Sequence, residues 1–201
     1  LYDLMGRTRD QRSCAKQAGL RHADDEYADL SGCYLALAKK LLPINATLLV
    51  EHALKKEEDA AGGASGKLLL CRGERLLMGG PSALPDAIAT LESGLELARK
   101  DAHGYALLGK AHHLSGDPAA ARAALEKCLD VSPQPYPLPA LLLLGQLSLA
   151  SADYARAKQV LLYACRQAPC CSSWLGAGIA CLELSQTDEA EQGNGPRTEP
   201  G

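Results

Sequence analysis

Four of the chain's eight cysteines lie within seventeen residues, Cys165, Cys170, Cys171 and Cys181, in the run "CRQAPCCSSWLGAGIAC". Such a cluster could bind zinc, run redox chemistry, supply a nucleophile or fill small packing sites. A structural zinc site needs pairs of the C-x-x-C kind, because two ligands from each pair must converge on one tetrahedral ion. Cys165 and Cys170 stand on either side of Pro169 with four residues between them, and no C-x-x-C occurs anywhere in the chain. The weight therefore falls on packing or unreactive surface, with metal and redox roles as rivals. His112 and His113 are adjacent, which sets them about 100° apart around a helix and away from a shared ion. "GGASGKL" looks like a phosphate loop, but it lacks a correctly spaced first glycine and has Leu68 where Ser or Thr would hold magnesium. No nucleophile elbow and no His-Glu-x-x-His pattern is present. No catalytic residue, metal or cofactor is expected. A thiol- or zinc-dependent enzyme remains the rival class, which metal analysis of the purified chain would decide.

The elements that position these residues are read from composition and period. Of 201 residues 47 % are hydrophobic, enough for a true core, and Leu and Ala dominate while Phe is absent, which favours helices over strands. The net charge of −3 comes without a basic stripe or acidic tail, so neither nucleic acid nor an anionic membrane is an expected partner. "LPALLLLGQLSLASA" is too short to cross a bilayer and is broken by Gly145, Gln146 and Ser148; it reads as a buried helix. Eight cysteines without a small disulfide framework fit a reducing compartment. The start "LYDLMGRTRD" has neither an initiator Met nor a signal-peptide pattern and reads as part of something longer. The Asn45 sequon is then expected on a helix surface.

Self-similarity is the strongest signal. Tyr105, Leu141 and Trp174 are each followed four residues later by Gly109, Gly145 and Gly178, and twelve residues beyond by Ala121, Ala157 and Ala190. Leu125 with Cys128 and Leu161 with Ala164 recur at equal offsets, and Pro133 and Pro169 close the two full units. This pattern resembles the tetratricopeptide repeat, a helix-turn-helix unit whose small residues let two helices approach closely. The resemblance implies an all-α protein, an α-solenoid of tetratricopeptide-like helix-turn-helix repeats, right-handed and of about four to five helix pairs. Gly116 is placed to stop a first helix, Asp117 and Asp153 to cap second helices, and Pro118 at a first turn where its missing N–H costs nothing.

The expected layout is N-terminal helices and a degenerate repeat over 1–58, including a preceding amphipathic helix in 1–20. A charged, Gly-rich linker with a potential gap near Gly62 covers 59–67. A degenerate repeat over 68–101 has Ala87, Leu91 and Gly94 in second-helix register and "PSALP" lengthening the turn. Repeats follow over 102–137 and 138–170, then an incomplete repeat over 171–192 and an irregular tail over 193–201, with a second potential gap near Gly193. Less regular still, Ala46, Val50 and Ala53 form the second-helix register of the first pair.

In such arrays the first helices line a concave groove. The equivalent positions here are Ala106, Lys110, His113 and Leu114, then Leu142, Gln146, Leu149 and Ala150, then Leu175, Ile179 and Leu182. The surface is largely apolar; only Lys110 resembles the cationic groups with which chaperone-binding relatives hold a peptide carboxylate. It suits an amphipathic partner helix or the chain's own next segment, or else these leucines pack against another repeat. Packing roles are assigned to Gly109, Ala121, Gly145, Ala157, Trp174, Gly178 and Ala190. Cys128, Cys181 and His112 are read as fillers between helices.

The C-terminal run is more specific than the repeat requires. Tyr154, Ala157, Lys158, Ala164, Cys165, Pro169, Cys171, Trp174, Leu175, Gly176, Gly178, Ile179, Ala180, Cys181, Glu189, Ala190 and Glu191 resemble the C-terminal tetratricopeptide region of the cilia- and flagella-associated protein seventy family. The tail "GNGPRTEPG" departs from it. The resemblance implies a non-enzymatic scaffold of the ciliary or flagellar axoneme, holding other axonemal proteins in a large multi-subunit complex and supporting motility. It leaves open placement in the central apparatus or at outer dynein arms, and a cytosolic co-chaperone or assembly factor for axonemal cargo is the alternative class.

Overall fold

The computed structural model describes residues 33–44 and 47–193, and the chain divides at Lys100/Asp101 into two compact units. The expected helix in 1–20, the Asn45 sequon, Ala46 and the tail from 194 lie outside the described residues.

In the first unit, α1 (Cys33–Leu41) and a 3-10 turn (Leu42–Ile44) lead to α2 (Thr47–Ala61), α3 (Gly66–Leu77), a second 3-10 turn (Pro81–Ala83) and α4 (Leu84–Leu97). Helices α1 and α2 form one hairpin and α3 and α4 another. Ala38, Leu42, Val50, Ala53, Leu54, Leu68 and Cys71 make a shared core. Glu57, 3 % exposed, turns inward and accepts a hydrogen bond from the Leu35 N–H in the first turn of α1. Arg72–Glu58 at 2.9 Å and Arg75–Glu51 at 3.0 Å join α2 to α3 on the surface.

The region expected to be a linker is shorter than 59–67. Helix α2 continues through the "KKEEDAA" residues and α3 starts at Gly66, leaving 62–65 as the turn. Gly62, at φ +69°, lies in the left-handed region natural to glycine. The Ser65 hydroxyl accepts from the Leu68 N–H and caps α3, so the "GGASGKL" run is helix-initiation chemistry. Gly66 also serves the packing of the hairpin, since an added Cβ would stand 2.9 Å from the Gly94 carbonyl oxygen, where α3 and α4 touch backbone to backbone.

The second unit contains α5 (Ala102–Ser115), α6 (Pro118–Val131), α7 (Leu138–Ala150), α8 (Tyr154–Gln167) and α9 (Cys171–Gly193). Hairpins α5/α6 and α7/α8 repeat one plan, and α9 packs on both α8 and α7. Ala121, Leu125, Cys128, Ala140, Leu141, Leu144, Leu147, Val160 and Ala164 form the core between the hairpins. A second cluster, Ala157, Leu161, Cys165, Ala177 and Ala180, seats α9. Asp117 accepts from the Ala120 N–H at 2.9 Å and Asp153 from the Arg156 N–H at 3.2 Å, the two expected caps. Asp101 does the same for α5 through the Gly104 N–H. Gly116, at φ +84°, ends α5, and its counterpart after α7 is Ala152, left-handed at φ +58° despite its Cβ.

The last unit differs from expectation. One continuous helix, α9, runs across the point where the repeat offsets of the two preceding units would place a turn. Its sequence explains this: the turn positions held by Gly116-Asp117 and Ala152-Asp153 are Ser185-Gln186 here, with no stop residue and no N-capping carboxylate.

Candidate protein-binding surface

The glycines set how closely each hairpin closes. A Cβ on Gly109 would stand 2.6 Å from Leu125 Cγ, and one on Gly145 would stand 2.4 Å from Leu161 Cδ2. Both leucines are fully buried, and burial of such a side chain contributes about 1.5–3 kcal/mol. Gly73 holds Leu91 in the same way, at 2.6 Å, although the longer turn separates that pair by eighteen residues (91 − 73) against sixteen (125 − 109) in the regular repeats.

The role expected of Gly178 is not met among the described residues. Nothing lies within 4 Å of a Cβ built there, because α9 does not fold back to supply a facing leucine. Gly176 makes the close contact instead, 2.8 Å from Leu161 Cδ1, so Leu161 is held between α7 and α9. Trp174 is likewise 58 % exposed, whereas Leu141 at the matching place in α7 is buried. Ala121 and Ala157 are fully buried as expected of small interhelix residues, and the side chain of Ala190 lies outside the described residues.

The positions expected to form a groove separate into two groups. Ala106, Leu142 and Leu149 are half-buried and pack against the cores, Leu142 against both clusters. They join neighbouring repeats. Lys110, His113, Leu114, Gln146 and Ala150 are exposed on α5 and α7. On α9, Leu175 (68 %), Ile179 (40 %) and Leu182 (62 %) are exposed at i, i+4, i+7 spacing, the register with which one helix face receives another. Trp174 lies beside them, so α9 presents the most apolar open surface among the described residues of the second unit.

The cysteines follow their burial. Cys71, Cys128 and Cys165 are buried, Cys170 and Cys181 half-buried and Cys171 exposed. Burial pushes the Cys71 and Cys128 thiols up to about 11. At the start of α9, Cys170 Sγ lies 3.3 Å from the Ser173 hydroxyl and accepts from the Ser173 N–H at 3.4 Å; these two bonds hold its thiol below the usual range. His112 is half-buried and His113 exposed. Among the described residues no three His, Cys, Asp or Glu side chains converge as metal ligands, and no helix is long and apolar enough to cross a membrane.

Comparison with solved structures gives the fold. The MamA protein superposes with a TM-score of 0.62 over 82 % of this chain and 87 % of its own, at 21 % identity. A thermophilic TPR protein of Thermus thermophilus does so with a TM-score of 0.62 over 89 % and 93 %, at 16 % identity. Among curated sequences, human cilia- and flagella-associated protein 70 is 35 % identical over 91 residues, and the Macaca fascicularis protein of that name is 44 % identical over 48. These alignments take in 43 % and 24 % of this chain but only 8 % and 5 % of the relatives. The family described as cilia and flagella-associated protein 70 C-terminal domain matches residues 36–193. An all-α array of tetratricopeptide hairpins, joined by that match over most of its length, makes this chain a member of the cilia and flagella-associated protein 70 C-terminal domain family.

Proposed function

We propose that the chain is a non-enzymatic, protein-binding scaffold of the ciliary or flagellar axoneme, a central-apparatus component that supports motility by holding other axonemal proteins in a large complex. The observation that carries the reading is the exposed Leu175, Ile179 and Leu182 face of α9, with Lys110, His113 and Gln146 exposed on the preceding first helices. An i, i+4, i+7 apolar face held by packed hairpins fits an amphipathic helix. The names of the relatives, cilia- and flagella-associated, support the ciliary or flagellar part of this reading.

Crosslinking mass spectrometry on intact axonemes tests this through the exposed amines of Lys110 and Lys158. Links to central-apparatus proteins are the expected result. Links confined to outer-dynein-arm subunits would keep the scaffold and move it to the doublets. Absence of axonemal links, with the chain recovered in the detergent-soluble fraction, would replace the scaffold by an assembly factor.

A further inference from the structure

A second surface of the C-terminal unit has the chemistry of a ligand site and uses none of the groove residues. A cavity of about 660 Å³ opens between the end of α6, the 132–137 loop and α8. Its floor is Leu129, Leu141 and Val160, and its wall is the Tyr136–Tyr163 pair, with ring centroids 5.1 Å apart. The Gln167 amide donates to the Tyr136 carbonyl at 2.6 Å and so fixes the loop that carries this wall.

The rim is cationic at both ends. Arg156, Gln159, Tyr163 and Arg166 follow one another at i, i+3, i+7 and i+10 on one face of α8, all lining the cavity. Arg156 donates to the Gln159 side-chain carbonyl at 3.0 Å, and Arg166 makes no ion pair; neither guanidinium has a carboxylate partner among the described residues. Asp130, on the opposite α6 side, also lines the cavity and has no cationic partner there.

We propose that this cavity binds a short extended peptide segment bearing two carboxylates about four residues apart with an aromatic or aliphatic anchor between them. Ten helical positions separate the two arginines by about 15 Å along α8. Carboxylates four residues apart on an extended strand lie roughly 13–14 Å apart, a matching span. Guanidinium favours carboxylate through forked, charge-assisted hydrogen bonds, the apolar floor and tyrosines take the anchor, and Asp130 accepts a peptide N–H on the facing side.

The test is nuclear magnetic resonance on the whole 15N-labelled chain, titrated with acetyl-Glu-Ala-Trp-Ala-Glu-amide and with the same peptide carrying Gln for both Glu residues. Amide shifts confined to 129–136, the Leu141 turn of α7 and 156–166 are expected, with at least tenfold weaker binding of the Gln peptide. Arg156→Gln with Arg166→Gln should weaken the Glu peptide equally, while Arg156→Lys with Arg166→Lys, which keeps charge without the fork, loses less. An unchanged amide spectrum away from the cavity checks that both variants stay folded. The proposal is overturned by no shift in those segments at millimolar peptide, by shifts in α5, α9 or the 145–150 end of α7 instead, by equal binding of the Gln peptide or the double Gln variant, or by free glutamate reproducing the shifts at equal concentration.

Discussion

Gly145 yields its side-chain space to Leu161: any Cβ at 145 would come within 2.4 Å of the leucine that closes the α7/α8 hairpin. Gly176 presses on the same leucine from α9, whereas Gly178 faces open space. The three glycines therefore respond differently to a single methyl group. Gly145→Ala should cost about 1–3 kcal/mol through overpacking, and Gly176→Ala should also destabilise. Gly178→Ala, in an exposed helix interior, should stabilise by about 0.5–1 kcal/mol. Urea denaturation of the three variants checks this; a destabilising Gly178→Ala would restore Gly178 as the packing glycine.

How much of this could be read beforehand depends on the regularity of each repeat. Gly109, Ala121, Gly145 and Ala157 were legible because a constant offset repeats, and Asp117, Asp153, Gly116 and Pro118 because caps and stops have local chemistry. Gly73 and Gly66 were not, since the longer turn of the degenerate repeat shifts the partner of Gly73 to Leu91, and Gly66 meets a backbone far along the chain. The shift from Gly178 to Gly176 followed from extending the period into a segment whose turn residues had been lost; Gln186 in place of a capping aspartate was the available warning. The cavity beside α8 draws on Asp130, Tyr136 and Arg156, which share no periodicity, so only the folded chain brings them together.

The turn after α7 holds Ala152 at φ +58°, where Gly116 serves the turn after α5. A Cβ in the left-handed region costs about 1–2 kcal/mol, partly offset by the lower chain entropy of alanine when unfolded. Ala152→Gly should accordingly stabilise by a few tenths to about 1 kcal/mol, and Gly116→Ala should destabilise by a similar amount. Thermal unfolding of the pair provides the check; opposite signs are required.

Thiol reactivity should divide by environment. Cys170, held low by its Ser173 hydrogen bonds, and exposed Cys171 should react first with iodoacetamide at pH 7, while Cys71 and Cys128 stay unlabelled in the folded chain. Ser173→Ala removes the hydroxyl partner and should slow Cys170 selectively, by several-fold, as read by peptide mass spectrometry. Labelling of Cys128 at the rate of Cys171 would contradict the burial.

The same buried thiols set an alkaline limit. Cys71 and Cys128 have thiol pKa values raised by burial from 9.0 to about 11, so the native state keeps its protons where the unfolded state releases them. Their contribution is fully present below pH 9 and is lost as pH rises toward 11, on the order of 1–3 kcal/mol for each thiol. Denaturant midpoints at pH 8 and pH 10.5 measure the loss, and Cys71→Ala with Cys128→Ala should flatten that part of the pH dependence even though the cavities lower stability throughout.

The α9 face separates binding from folding. Leu175, Ile179 and Leu182 are exposed, so their replacement by Gln removes apolar surface from water rather than from the core. Stability should stay within about 0.5 kcal/mol per site. A dye that reports exposed apolar surface should bind the triple variant less strongly, and retention of the full-length protein in detergent-extracted axonemes should fall. By contrast, Leu142→Gln strikes a residue packed between both clusters and should destabilise by about 2 kcal/mol or more. If the triple variant unfolds as Leu142→Gln does, α9 is seated by the face assigned here to a partner; if it folds normally and is fully retained, the partner binds elsewhere.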